Sequence, residues 1–328
     1  MSALLQSIIL ITSIFIIVKS YAFNLHSTIF YYIFVIFLFI NILFSSNYDY
    51  GFDKAMFLLF YATLGFIVWN IPDEYRFKDL FLYIIVFYII FTMSFIGTPL
   101  EIFTLGRFER FGAELFNPIF LGTVYFLFSL YLILIKKRSN RHTIFCFILA
   151  LICIVYGVAC GSKGPLISFL LVLMLQSIRS AFAVLIFGLL IVSIVDLPEF
   201  VTQRFLNIGS FTSRLELNQI SFLEREFMEF FWGCGSGCYS IIAFNTSERI
   251  YPHFLPSEVF IEYGIVGLIF VLLYLIHIYK LASDLNRALI TFLLVASLTT
   301  GDLLQHSILL FLFPLLIKTN FKKGSVVS

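Results

Sequence analysis

Apolar runs long enough to cross a bilayer recur along almost the whole of this 328-residue chain, and no other feature narrows its fold so far. About 17 to 25 consecutive apolar residues span roughly 30 Å of hydrocarbon as an α-helix, whereas a transmembrane barrel shows alternating segments of about ten. The runs here are of the first kind. With 61% of residues hydrophobic and only 12% charged, a soluble fold of this length has too little polar surface to cover itself. The expected class is an all-α polytopic membrane protein, a single integral membrane domain over residues 1–328. About eleven spans, ten to twelve being the range, are expected at 4–18, 28–44, 55–69, 79–97, 117–135, 143–159, 165–177, 181–196, 257–279, 288–300 and 303–317. The first has no basic residue before it and no small-residue cleavage site after it, so it reads as a retained span rather than a signal peptide.

Orientation follows from the basic residues, which collect on the cytoplasmic side. Lys136, Lys137, Arg138 and Arg141 crowd one short loop. Alternation from that loop puts most of the remaining lysines and arginines on the same side, with the N-terminus outside and the C-terminus inside. Lys54, Arg107, Arg110, Lys163, Arg204, Arg214, Arg225 and Arg249 break the rule. Most of them fall in three outer segments: residues of about 98–116, the turn Gly161-Ser162-Lys163-Gly164-Pro165, and a long periplasmic loop at 197–255. An outer face that gathers cations against the insertion bias suits an anion, although solvated loop charge gives the same pattern. The interiors of the spans are almost free of charge, and Glu258, Glu262, Asp302 and His306 sit near span ends. That places any chemistry at one membrane surface rather than along a path through it. The net charge of +2 says little about partners, and no nucleic acid is expected among them.

Cys146, Cys153 and Cys160 recur every seven residues on one helical stripe, where thiols pack as small hydrophobes. Cys234 and Cys238 lie in a polar, Gly-rich stretch and pair if that side is oxidising. No metal pattern emerges from the cysteines. Within the long loop, Ile220, Leu223, Phe227, Phe230 and Phe231 recur at steps of three and four among Glu216, Glu224, Arg225 and Glu229. This spacing predicts an amphipathic helix lying in the interface. The glycines of Trp232-Gly233-Cys234-Gly235-Ser236-Gly237 then permit a sharp turn and a close backbone approach to a ligand, or simply a loop after a helix.

The long loop ends at Tyr251-Pro252-His253-Phe254-Leu255-Pro256-Ser257-Glu258, where polar chain meets an apolar run. A histidine exchanges a proton near neutral pH, and the prolines on either side stiffen the backbone that presents it. The bland alternative is a helix entrance with the imidazole snorkelling to water. HExxH, paired-Asp and GxSxG patterns are absent from the sequence. A histidine general base with several phosphate-holding cations remains, a set suited to displacing a phosphate leaving group.

Four segments in order resemble one family, the bacterial O-antigen polymerase and O-antigen ligase superfamily of polytopic glycosyltransferases. Arg110-Phe111-Gly112 with Asn117-Pro118 and Gly122 looks like its arginine-glycine and Asn-Pro element. The turn around Lys163 is similar to its Gly-Ser-Arg-Gly turn. Ser213-Arg214 and the Trp232 to Gly237 stretch resemble its loop arginine and Gly-x-Gly-x-Gly element. Tyr251-Pro252-His253 with Glu258, Glu262, Gly264 and Gly267 resembles its Tyr-Pro-His-Asn run followed by two glutamates and Gly-x-x-Gly. Lys163 stands where arginine is usual, keeping the charge but losing the bidentate fork, and Phe254 stands in place of asparagine.

The resemblance implies an undecaprenyl diphosphate-linked oligosaccharide as donor and an inverting transfer without metal or other cofactor. It implies His253 as general base, Lys163 and Arg214 on the diphosphate, and Arg110 as a further cation. Glu258 or Glu262 would orient the histidine, with Ser162 and Tyr251 as further substrate contacts. The implied location is the bacterial inner membrane with the site facing the periplasm, the lipid tail between spans, and a chain-length regulator and a flippase as partners. Polymerase and ligase share these parts; the compact length and single long loop favour polymerase. A lipid-linked oligosaccharide flippase is the alternative from another class, and it would require charged residues lining a path between spans.

Overall fold

The computed structural model describes residues 25–70, 80–95, 118–135, 140–160, 163–178, 181, 182, 184, 186, 227–246 and 254–300. Among these residues the chain is all-helical, with no strand. The spans expected at 4–18 and 303–317, most of 181–196 and the long loop before residue 227 lie outside them. Ten helices are described: α1 Leu25–Leu43, α2 Tyr48–Asn70, α3 Leu80–Phe95, α4 Pro118–Leu134, α5 Asn140–Ala159, α6 Lys163–Gln176, α7 Phe227–Trp232, α8 Tyr239–Phe244, α9 Leu255–Leu281 and α10 Asp284–Thr300. By length and composition α2, α5 and α9 are able to cross a membrane; α1, α3, α4 and α6 are apolar but shorter over the residues searched.

Outward-facing residues explain what surrounds the helices. Ile36, Phe39 and Leu43 of α1, Tyr83 and Phe87 of α3, Ile144 and Ile148 of α5, and Ile269, Leu272 and Ile276 of α9 are all exposed. Apolar surface on this scale is unfavourable in water and suited to lipid. The helices lack a polar face because their outer solvent does not demand one.

The helices fall into two compact units. In one, α4 is the centre: its residues from Leu121 to Leu132 are buried all round, against α5, α6 and α10. Tyr125 of α4 stacks on Tyr156 of α5 at 5.0 Å between centroids, and its hydroxyl hydrogen-bonds Thr92 of α3. A side chain at Gly157 would meet the Phe126 ring, so α4 and α5 pack closely there. Cys146, Cys153 and Cys160 are all buried in this unit, as the seven-residue stripe predicts.

The other unit contains α1, α2, α7, α8 and α9. A tight turn joins α1 to α2, with the Phe44 and Ser45 N–H groups donating to Asn41 and Ile42 carbonyls and Asn47 N–H to Ser45 Oγ. The hairpin is fastened further along by Tyr31, stacked on Phe66 at 4.5 Å and hydrogen-bonded to Thr63 at 2.6 Å. Phe37 and Leu38 of α1, Leu58 and Leu59 of α2 and Tyr263 of α9 form its core.

Candidate functional site

The α9 helix is not continuous. Phe254 enters it in an extended conformation, Pro256 occupies its first turn, where an N–H is not needed, and Gly264 breaks it with φ 63° and ψ −167°. That backbone region is essentially open to glycine alone. In an unbroken helix the carbonyls of Ile261 and Glu262 would accept from the N–H groups four residues on. At this break the Gly-rich turn supplies donors: Cys234 N–H bonds Ile261 O and Gly235 N–H bonds Glu262 O, both at 3.1 Å. Asn41 of α1 adds its amide, 2.8 Å from Glu262 O and 3.3 Å from Trp232 O. Buried backbone groups left without partners cost about 1–3 kcal/mol each, so the turn and the break need one another.

The fit leaves no room for side chains. A Cβ at Gly233 would collide with the Glu262 carbonyl, and one at Gly264 with the Phe231 carbonyl. The close approach foreseen for these glycines is therefore made to the backbone of the protein itself. Ser45 Oγ donates to Ser236 O at 2.6 Å, and Ser236 Oγ lies 2.9 Å from the Tyr263 hydroxyl, which ties the turn to both α1–α2 and α9. Cys234 and Cys238, left open by the sequence, are paired as a disulfide with Cα atoms 5.9 Å apart. Of the amphipathic helix expected over 220–231, the described part is α7. Its Phe227, Met228, Phe230, Phe231 and Trp232 are exposed, and Phe230 also packs its ring on Phe260 of α9.

Just before the break, Glu258 and Glu262 lie one turn apart on α9 and both meet Lys54 of α2. The Lys54 ammonium pairs with Glu258 Oε1 and lies 2.8 Å and 2.7 Å from the two carboxylate oxygens of Glu262. All three residues are 1% exposed. Glu258 and Glu262 are near the start of α9, as expected; that they are buried between helices and face Lys54 is not an expectation of the sequence. Nothing in the sequence ties Lys54 to the glutamates, because its partners lie 204 and 208 residues away. The usable signal was physical: a charge inside a span calls for a counter-charge at the same depth. Asn41 and Ser45, also unforeseen, gave no such signal.

Of the other expected site residues, Lys163 is described as the first residue of α6, half-buried, with Pro165 and Ser168 buried behind it and Ser168 Oγ donating to Gly164 O at 2.8 Å. Arg110, Ser162, Arg214, Tyr251 and His253 lie outside the described residues. Among the described residues no cluster of His, Cys, Asp or Glu could hold a metal ion. Comparison with family models, curated proteins and solved structures finds no match to this chain.

Proposed function

We propose that this protein is a membrane glycosyltransferase, an O-antigen polymerase. In this reading it transfers an undecaprenyl diphosphate-linked glycan to a hydroxyl of a lipid-linked repeat unit, on the periplasmic face of the inner membrane. One observation carries the reading. Two of the segments that resemble this family, some thirty residues apart along the sequence, form a single joint through Cys234, Gly235, Ile261 and Glu262. This joint holds the helix that begins two residues after His253.

In the proposed reaction the acceptor hydroxyl oxygen attacks the anomeric carbon, His253 takes the hydroxyl proton, and the bond from that carbon to the diphosphate oxygen breaks. Inversion follows from the single displacement. Lys163 and Arg214 stabilise the negative charge gathering on the departing diphosphate, and Arg110 adds a further positive charge. The reaction as written calls for no metal. About eleven spans would frame the cavity, with the lipid tail lying between them.

A flippase is a second reading that one observation favours. The α9 helix is broken beside buried charges, as discontinuous transporter helices are. Here, however, the carbonyls at the break are occupied by Cys234, Gly235 and Asn41, so protein fills the place a cargo would need. The surface glycan of a deletion strain separates the readings. One repeat unit on lipid A core is the expected result. A finished lipid-linked chain that never reaches core identifies a ligase instead, and repeat units trapped on the cytoplasmic face identify a flippase.

A further inference from the structure

We propose that the Cys234–Cys238 disulfide is a redox-sensitive lock on the joint at the α9 break: oxidised, it holds the Gly-rich turn on the broken helix, and reduced, it lets the turn leave. The inference does not rest on the transfer reading.

The disulfide closes a ring around Gly235, Ser236 and Gly237. Bonds that fasten the turn to the rest of its unit come from that ring. Cys234 and Gly235 N–H reach the Ile261 and Glu262 carbonyls of α9, Ser236 O accepts from Ser45 Oγ between α1 and α2, and Ser236 Oγ meets the Tyr263 hydroxyl. Within the ring, Cys238 N–H closes on Gly235 O at 3.2 Å. A single covalent bond thus fixes the spacing of groups that grip two distant parts of the chain.

Such a turn needs a constraint because of the residues that let it fit. Gly233, Gly235 and Gly237 all have positive φ, between 77° and 96°. A Cβ at Gly235 would run into the Ser45 backbone, and one at Gly237 into the Tyr50 ring. The fit demands glycine, yet glycine loses more conformational freedom on ordering than any other residue. A ring across the turn removes much of that freedom before docking, which is how a disulfide favours the ordered form. The reduced turn is served less well. Cys234 Sγ lies 3.3 Å from Ile261 O, so a thiol there has a carbonyl to donate to, but only as a weak donor, and the ring is gone.

Burial couples the lock to docking. Cys234 is 7% exposed and Cys238 0%, packed with Tyr239 and Ile261. A thiolate must reach one of the two sulfurs to exchange with it, so reduction proceeds through opening of the joint. Closing the lock forms one S–S bond from two thiols and passes two protons and two electrons to a disulfide-bearing oxidant, which leaves as a dithiol. Opening is the reverse, with a reducing dithiol leaving as a disulfide. Oxidising surroundings keep the joint locked.

The test uses the full chain purified in detergent, with the two cysteines followed by alkylation and peptide mass spectrometry and the backbone by hydrogen exchange. Without reductant, neither Cys234 nor Cys238 is expected to alkylate, even after denaturation. Reduction with dithiothreitol is expected to speed exchange at the Cys234 and Gly235 amides about tenfold or more, while amides of α5, in the other unit, keep their rates. Ser45→Ala removes one hydrogen bond to the ring and is expected to make reduction of the native protein about tenfold faster, the worth of roughly one hydrogen bond. Alkylation of both cysteines in protein never given reductant overturns the inference. Unchanged exchange at Cys234 and Gly235 after reduction overturns it as well, and needs no variant. Reduction of a folded Ser45→Ala variant at the wild-type rate rejects the coupling to docking. Should that variant not accumulate, wild-type protein in graded urea decides the point: reduction is expected to accelerate below the unfolding transition, and reduction that only tracks global unfolding rejects it.

Discussion

Lys163 and Lys54 show how differently two lysines in one chain can be employed. Lys163 opens α6 half-exposed, in a turn whose sequence already marked it. A lysine offers a point charge where arginine would offer a fork, and a single diphosphate contact asks little more than the charge. Lys163→Arg is accordingly expected to retain chain extension. Lys163→Ala is expected to lose roughly ten- to hundredfold, the worth of one charge-assisted hydrogen bond, measured as turnover of lipid-linked repeat units. An active alanine variant would remove Lys163 from the diphosphate site. Lys54 is buried and spends its charge on two glutamates. Residue type and local spacing picked out Lys163, Glu258 and Glu262 from sequence. The pairing to Lys54 was beyond such reading, because it depends on which helices become neighbours.

At the scale of elements, hydropathy located helices well and their interruptions poorly. The spans expected at 117–135 and 143–159 are α4, Pro118–Leu134, and α5, Asn140–Ala159. The span expected at 55–69 begins instead at Tyr48. Asp49, Asp53 and Lys54 make that first stretch look like loop, yet the helix continues through them, with Asp49 in the first turn where a negative charge is favourable and Lys54 neutralised from α9. The break in α9 was invisible for a related reason. Gly264 and Gly267 in an apolar run look like helix packing, and only the docked turn explains why Gly264 leaves the helix. Gly264→Ala is expected to cost about 1–3 kcal/mol for the backbone conformation alone, with the collision against Phe231 O adding to it. The measurement is thermal unfolding of the purified protein in detergent, and an unchanged midpoint would mean that α9 can run straight.

At the scale of the whole molecule, the apolar outer faces of α1, α3, α5 and α9 make a membrane the natural solvent of this chain. Among the described residues of the unit containing α9, buried charge gathers where Lys54 meets Glu258 and Glu262 at the start of that helix. A protein that moved substrate through the bilayer would place such groups along a route. One that works at a surface has no need of such a route. The central proposal is that His253 drives transfer from undecaprenyl diphosphate. The most direct measurement is a reaction of purified protein in lipid vesicles with undecaprenyl diphosphate-linked repeat units, following both glycan length and released undecaprenyl diphosphate. Longer glycans with one lipid diphosphate released per unit joined, and neither product from His253→Ala, is the result expected; extension that persists in His253→Ala, or none from the wild-type protein, would contradict it.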